Sequence, residues 1–423
     1  MSVGEDLVDR RRPDARLRRW QAPFASQVLS LSAGRVLGAL GIGALYVVAA
    51  RRLPVGQYAT FALAQALAGM FLAGAELGTT SMLADTIASD RRRARPASSK
   101  VLRLRLSLVL PVWVVIAGGL IVAAPGAPQA DAVTAMIFLP VVVASVVTST
   151  AESVLRALGR SWVEGLATAG FRVLQLGLSA LWLAEGGGLD SLILVGAGIG
   201  TVAAATVSVA AWRSAPSVSA PVPAGAISLR RGRWLTAASL VSTVYDRLDT
   251  WLLALLAVPL AVATYASAYR IFGAVLLVAN AVAALAVPLT AGRHGEDLVR
   301  VGRRLAAWAL AFSAPAALVV MVAAPEILRV LFGPGYVGGA SALRVLMVAV
   351  VPSSVGAALV PRAALLDGQR ITGYFAASLV ANVAIDLACI PELGALGAAI
   401  GTAICQGTMS WVVWRRFAQA ARR

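Results

Sequence analysis

The chain is short of the residues that most enzymes and metal proteins use. Its 423 residues include one histidine, His294, and two cysteines, Cys389 and Cys405. A histidine-based catalytic set and a multi-histidine metal site are excluded by that count. The two cysteines fall within apolar stretches, have no metal-site spacing and need not form a disulfide. Charge is scarce too. Charged residues make up 13% of the chain, against about 25% in soluble domains. Lysine occurs once, at Lys100, so the positive charge is almost all arginine, which suggests a GC-rich genome.

What is present is apolar length. Hydrophobic residues make up 59% of the chain. Twelve apolar stretches, 26–50, 57–84, 104–124, 132–151, 166–184, 190–212, 235–257, 262–291, 305–324, 341–361, 371–390 and 395–414, are near the roughly 20 residues that cross a bilayer. The segments between them alternate. Arg10–Arg12, Arg91–Arg93, Arg95, Arg156, Arg160, Arg230, Arg231, Arg303, Arg304, Arg370 and Arg415 fall in every second connection or in the tails. The other connections hold only Arg51, Arg52 and Arg329. Cytoplasmic loops accumulate arginine, so an all-α integral membrane protein of about twelve transmembrane helices is expected, with both termini cytoplasmic. The net charge of +17 then points to anionic lipids at the cytoplasmic face and not to nucleic acid.

The expected organisation is a basic N-terminal tail (1–25), a six-helix lobe (26–212), a cytoplasmic linker (213–234), a second six-helix lobe (235–414) and a basic tail (415–423). A weak repeat supports two halves. LVGAGIGT at 194–201 corresponds to LGAAIGT at 396–402, and Gly159-Arg160 corresponds to Gly368-Gln369-Arg370. Halves of six spans enter from the same side, which places a site between them near mid-membrane.

Eight ionisable residues fall inside these stretches: Arg35, Glu76, Arg172, Asp246, Arg247, Asp249, Arg270 and Asp386. At about 2.5–3.5 kcal/mol each, lipid exposure of all eight would cost on the order of 20–28 kcal/mol, so they must face a cavity or one another. Glu164, Thr168, Arg172, Gln175 and Ser179 form one polar helical stripe, and Ser378, Asn382 and Asp386 form another. Gln65, Gly69, Glu76 and Thr80 align on a third helix. Asp249 and Arg270 are placed for an ion pair. Arginine is in surplus near the centre, and its planar fork suits phosphate oxygens.

At this point the chain resembles the Wzx-type polysaccharide flippases of the MOP exporter superfamily. The resemblance is carried by ALYVVAARRLPVGQYATFALAQALAGMFLAGAELGTTSMLA (44–84), YDRLDTWLLALLAVPLAVATYASAYRI (245–271), LFGPGYVGGASALRVL (331–346), LLDGQRITGYFA (365–376) and IPELGALGAAIGTAI (390–404). It implies a MATE/MOP-like fold of two six-helix lobes in a bacterial plasma membrane. It also implies alternating-access flipping of an undecaprenyl-pyrophosphate-linked oligosaccharide for surface polysaccharide synthesis. On that pattern Arg35, Arg172, Arg247 and Arg270 hold the pyrophosphate, and Gln65, Gln175 and Asn382 meet the sugar. Glu76, Asp246 and Asp249 serve coupling or ion pairing. The implied partners are the lipid-linked substrate and a polysaccharide polymerase or glycosyltransferases. No cofactor is expected beyond a proton or sodium ion. Asp85 departs from the arginine the family often carries near there.

Three rivals share parts of this pattern. A MATE-like cation or drug antiporter would favour acidic cavity residues. A major-facilitator transporter would carry glycines where Ser81 and Ala88 stand. A membrane-embedded sugar polymerase or ligase would need a catalytic set in its loops, and none is evident, so no enzyme is expected.

Overall fold

The computed structural model describes residues 33–34, 36–76, 79–123, 130–223, 225–227, 229–290, 293 and 295–420. They are helical almost throughout, with no strand among them. In chain order the helices are α1 (36–52), α2 (Val55–Glu76), α3 (Thr79–Ser89), α4 (Ala94–Ala123), α5 (Ala130–Ala157), α6 (Ser161–Ala184) and α7 (Leu189–Ser214). They continue with α8 (Leu229–Leu256), α9 (Pro259–Thr290), α10 (Gly295–Val322), α11 (Ala324–Leu331), α12 (Ala340–Leu393) and α13 (Ala395–Ala420).

Each of the twelve apolar stretches coincides with helix, but the boundaries differ in an instructive way. The helices run past their apolar windows into basic sequence. The expected linker 213–234 is shorter, because α7 continues to Ser214 and Arg230, Arg231 and Arg233 already lie on α8. Arginine is a good helix former, so hydropathy marks only the buried part of a helix. Within the expected span 57–84, the described residues are helical on both sides of 77–78, as α2 and α3.

Glycine sets two of the sharp reversals. At Gly159 (φ 77°), Arg160 N–H donates to the Leu155 carbonyl at 2.8 Å, and Gly159 N–H donates to that of Arg156 at 3.1 Å. The same pair of bonds forms at Gly186 (φ 88°), with Gly187 bonded to Trp182 and Gly186 to Leu183. Both are Schellman closures, which satisfy the last carbonyls of α5 and α6. On the basic side Asp90 accepts from the backbone N–H of Arg92 and caps the short 3-10 turn before α4. The Arg92 guanidinium also bonds Asp90 and holds its carboxyl below the usual carboxylate range.

α12 needs separate comment. Its 54 residues would make a straight rod about 80 Å long, far more than a bilayer. Yet both of its ends meet one end of α9. Gly339 abuts Thr264, and Gly394 abuts Ala261. Leu359 and Phe375, from the two arms, pack into one cluster with Phe417. The helix therefore doubles back between 360 and 371, staying helical through the turn, and supplies two spans. The sequence repeat is broken here: Gly159 ends a helix, whereas its counterpart Gly368 does not.

Eight helices among the described residues are long and apolar enough to cross a membrane. Of the apolar window in α6, only 11% is buried inside the protein. Trp162, Leu166, Leu181, Phe312, Val319 and Val322 stand exposed with no protein over them, as a lipid-facing surface requires. The chain is a multi-pass membrane protein.

Helices α4 to α7 pack on one another, as do α8 to α10 with α12 and α13, and the two sets meet where α2 lies against α8 and α9. The buried core is not uniform along them. At the end carrying loops 53–54 and 332–339, one continuous core joins both sets, with Tyr46, Tyr58, Tyr265 and Tyr336 in it. At the arginine-rich end the described core falls into separate clusters. One belongs to α3, α4, α5 and α7, and the others to α9, α10, α12 and α13. Among the described residues the two sets share a core at one end and have separate cores at the other, with the cleft between them toward the basic end.

Candidate functional site

Three described arginines line this cleft, one each from α6, α8 and α9. Arg172 and Asp246 are exposed although protein surrounds most of each, which marks the wall of an internal cleft and not the outer surface. Arg172 can stand there because Gly38 and Gly41 of α1 leave room for its stem. A methyl at Gly41 would lie 3.1 Å from the Arg172 Cβ. Its guanidinium donates to Gln175 Oε1 at 2.8 Å. Glu152 and Arg270 lie within its electrostatic reach. Arg247 projects past Gly69 of α2, where a methyl would come within 3.3 Å of its Nε. Gln65 is half-buried one turn before Gly69 on the same face.

Arg270 is held differently. Its guanidinium lies 3.7 Å from the centre of the Tyr46 ring and bonds the Tyr46 hydroxyl. Tyr269, one residue earlier, has Asp246, Asp249, Arg247 and Arg270 all within electrostatic reach. The expected Asp249–Arg270 pair does not form. Asp249 turns the other way, is 5% exposed, and accepts from Tyr265 and Thr402 hydroxyls at 2.5 Å each. Neutral hydroxyls win because Tyr46, from the other helix set, already occupies Arg270.

Asp249 opens onto a second site that lies wholly within the C-terminal set. Asp386 is fully buried and lies within hydrogen-bond reach of the Asp249 carboxyl, with no other partner for its oxygens. Asn382, one turn earlier, is 1% exposed with both amide atoms unpartnered. Gly401 of α13 lies directly against them, and a methyl there would collide with Asp386 Oδ1. The Tyr245 hydroxyl and Ser378 Oγ, within reach of each other, close the pocket beside Cys405. Asn382 was expected beside Gln65 and Gln175. The structure places it in this acidic pocket instead, because its face of the helix turns toward α13. Two carboxyls this close in a dry interior need a compensating positive charge, either a proton or a bound cation.

Other expected site residues are less fully placed. Arg35 lies outside the described residues. Its neighbour Gly34 packs backbone to backbone on Gly165 of α6, so α1 and α6 are in close contact at that level. Glu76 lies on α2, and its side chain lies outside the description. Glu164, at the base of the polar stripe on α6, pairs with Arg156 at 3.0 Å.

Sequence reasoning missed Arg105. It is fully buried and donates to Thr79, Thr80, Ser149 and Thr150, at 2.8–3.0 Å. It ties α3, α4 and α5 together beside the α2–α3 junction. Its place two residues after Arg103, at the edge of a basic loop, hid it. The tyrosines were missed as well. Only seven occur in the chain, and Tyr46, Tyr58, Tyr245, Tyr265, Tyr269 and Tyr336 all gather where the two sets meet or in the acidic pocket.

The backbone path settles the fold class. A multidrug resistance MATE family transporter of the MOP superfamily, in an outward-facing conformation, superposes with a TM-score of 0.67 over 94% of this chain and 96% of its own, at 17% identity. A Vibrio cholerae MATE transporter gives 0.61, 94%, 97% and 16%. This is the MATE fold. A MOP superfamily transporter from Pyrococcus furiosus, for which reverse polarity of the binding pocket is taken to suggest a different function, shares it at a TM-score of 0.63 and 16% identity, covering 95% and 96% of the two chains. No family model matches the sequence, and no curated protein does.

Proposed function

We propose that this chain is a flippase. It carries an undecaprenyl-pyrophosphate-linked oligosaccharide from the cytoplasmic to the outer leaflet of a bacterial plasma membrane by alternating access. The observation that carries this reading is the cleft between the helix sets, lined by Arg172, Arg247 and Arg270 with Asp246 as the accessible acid. Guanidinium groups on three helices can grip a pyrophosphate through several forked hydrogen bonds. Gln65 and Gln175 offer neutral donors and acceptors to sugar hydroxyls, and Arg35, outside the described residues, is the fourth arginine this reading assigns to the pyrophosphate. The arginine-rich end faces the cytoplasm, so the described state is the one that loads substrate. Partner enzymes that assemble or polymerise the sugar would act on either side of this step.

The acidic pocket is the coupling device in this proposal. Asp249, Asp386, Asn382 and Thr402 converge, and the first three carry unpartnered buried oxygens, as a site for a small hard cation requires. A sodium ion or proton there would bind α8, α12 and α13 together and bias the C-terminal set between two arrangements.

One observation favours the rival antiporter of the same fold. The acidic pocket would also serve an exchanger of cationic drugs. Reconstituted protein decides between the two. Wild type in proteoliposomes should move a fluorescent polyprenyl-pyrophosphate sugar across the bilayer, and Arg270→Ala should slow it at least tenfold. Drug-driven cation efflux without lipid movement would establish the antiporter instead.

A further inference from the structure

A cavity of about 170 Å³ lies between α4, α5 and α7, at the arginine-rich end and inside one helix set. It is separate from the central cleft. Its walls are mostly apolar, with Leu102, Val147, Ala151, Val154 and Ala211. Arg95, Ser98 and Ser99 stand at its outer end, and Ser208 lies about 10 Å deeper along α7. The described lining contains no acidic residue.

Arg95 is fixed in an unusual pose. Its guanidinium lies 4.2 Å from the centre of the Trp212 ring, a cation–π contact. One nitrogen, Nη2, donates to the carbonyls of Trp212 (3.3 Å) and Ala215 (3.4 Å) at the end of α7. Its Nε is buried with no partner. A cation held flat by an aromatic ring and by carbonyls keeps its full charge. The acid nearest in sequence, Asp90, is engaged by Arg92 and Arg93. Arg91, Lys100, Arg103 and Arg213 stand exposed around the same rim. The apolar walls run from Arg95 to Leu102, about 10 Å along the helix, which takes them from headgroup depth to acyl-chain depth.

We infer that this cavity is a binding site for one anionic glycerophospholipid of the cytoplasmic leaflet. Its phosphate would meet Arg95, and part of one acyl chain would fill the apolar walls. A free phosphate would leave those walls empty. A zwitterionic lipid would bring a cationic group into a rim that is already positive. The bound lipid would wedge α4, α5 and α7 apart by a fixed amount, independently of what the central cleft carries.

The test uses delipidated, full-length protein in detergent, titrated with phosphatidylglycerol, phosphatidylcholine or inorganic phosphate. Thermal unfolding and native mass spectrometry of retained lipid are read together. Phosphatidylglycerol alone should raise the midpoint and remain bound at one copy. Arg95→Gln should weaken half-saturation about fivefold or more. Ser208→Leu, which fills the apolar part of the cavity and keeps every charge, should abolish the retained copy. Arg303→Gln, the same loss of charge on α10, should change neither. Equal weakening by Arg303→Gln would reduce the effect to diffuse surface charge and overturn the site. An equal response to phosphatidylcholine or to inorganic phosphate would overturn it too.

Discussion

Arg270, Asp249 and Arg105 answer the same problem, a charge inside a membrane protein, in three ways. Arg270 stacks on a ring from the opposite helix set. Asp249 accepts from two hydroxyls and shares its pocket with Asp386. Arg105 spreads its charge over four hydroxyls on two neighbouring helices. Different consequences follow from their removal. Arg105→Leu leaves those hydroxyls buried without their donor. At about 0.6–1 kcal/mol per bond between membrane helices, it should destabilise the fold by roughly 2–4 kcal/mol, seen as a shift in detergent-titrated unfolding. Asp386→Asn should barely disturb folding, since the amide keeps the shape of the carboxyl and can still donate to Asp249. It should instead abolish any rise in unfolding temperature produced by sodium in the wild type. A sodium response of wild-type size in Asp386→Asn would dismiss the pocket as the cation site.

Among the elements, close approach of helices is decided by glycine. Gly397 of α13 lies on the backbone of Cys389 in the second arm of α12, and Gly302 of α10 lies under the Phe417 ring. The two differ in what must give way. At Gly397 a methyl meets a carbonyl group on a neighbouring helix, which cannot move without the whole helix. At Gly302 it meets a ring that can turn. Gly397→Ala should therefore lower the unfolding temperature more than Gly302→Ala, measured side by side in the same detergent. Equal losses would mean that α12 and α13 yield as readily as a side chain does.

For the molecule as a whole, the contacts between helix sets are concentrated at one end. Tyr58 of α2 bonds Ser267 of α9 at 3.1 Å, and Tyr336 donates to the Ala50 carbonyl at 3.2 Å. Arg51 donates to the Leu331 carbonyl at 2.8 Å, at the C-terminal end of α11, where the helix dipole favours a cation. These bonds must break for the cleft to open on that side. A bis-methanethiosulfonate cross-linker bridging Tyr58→Cys and Ser267→Cys, with Cys389 and Cys405 replaced by serine, should halt transport until a reductant is added. Undiminished transport by the cross-linked protein would show that the two sets do not separate there.

The sequence by itself determined the fold class, helical and membrane-spanning, because apolar runs and alternating arginines report on each segment independently of the others. It also marked most of the charged residues that enter the site. Tertiary structure alone decided their partners. Arg270 and Asp249 have the spacing of an ion pair, but each meets a better neighbour from a distant part of the chain. Asn382 reads as one polar residue among several until packing against Gly401 puts it beside Asp386. Arg105 reads as loop charge until α3 and α5 close around it. Helix formation is local and leaves a periodic trace in the sequence, whereas which face meets which depends on every helix at once.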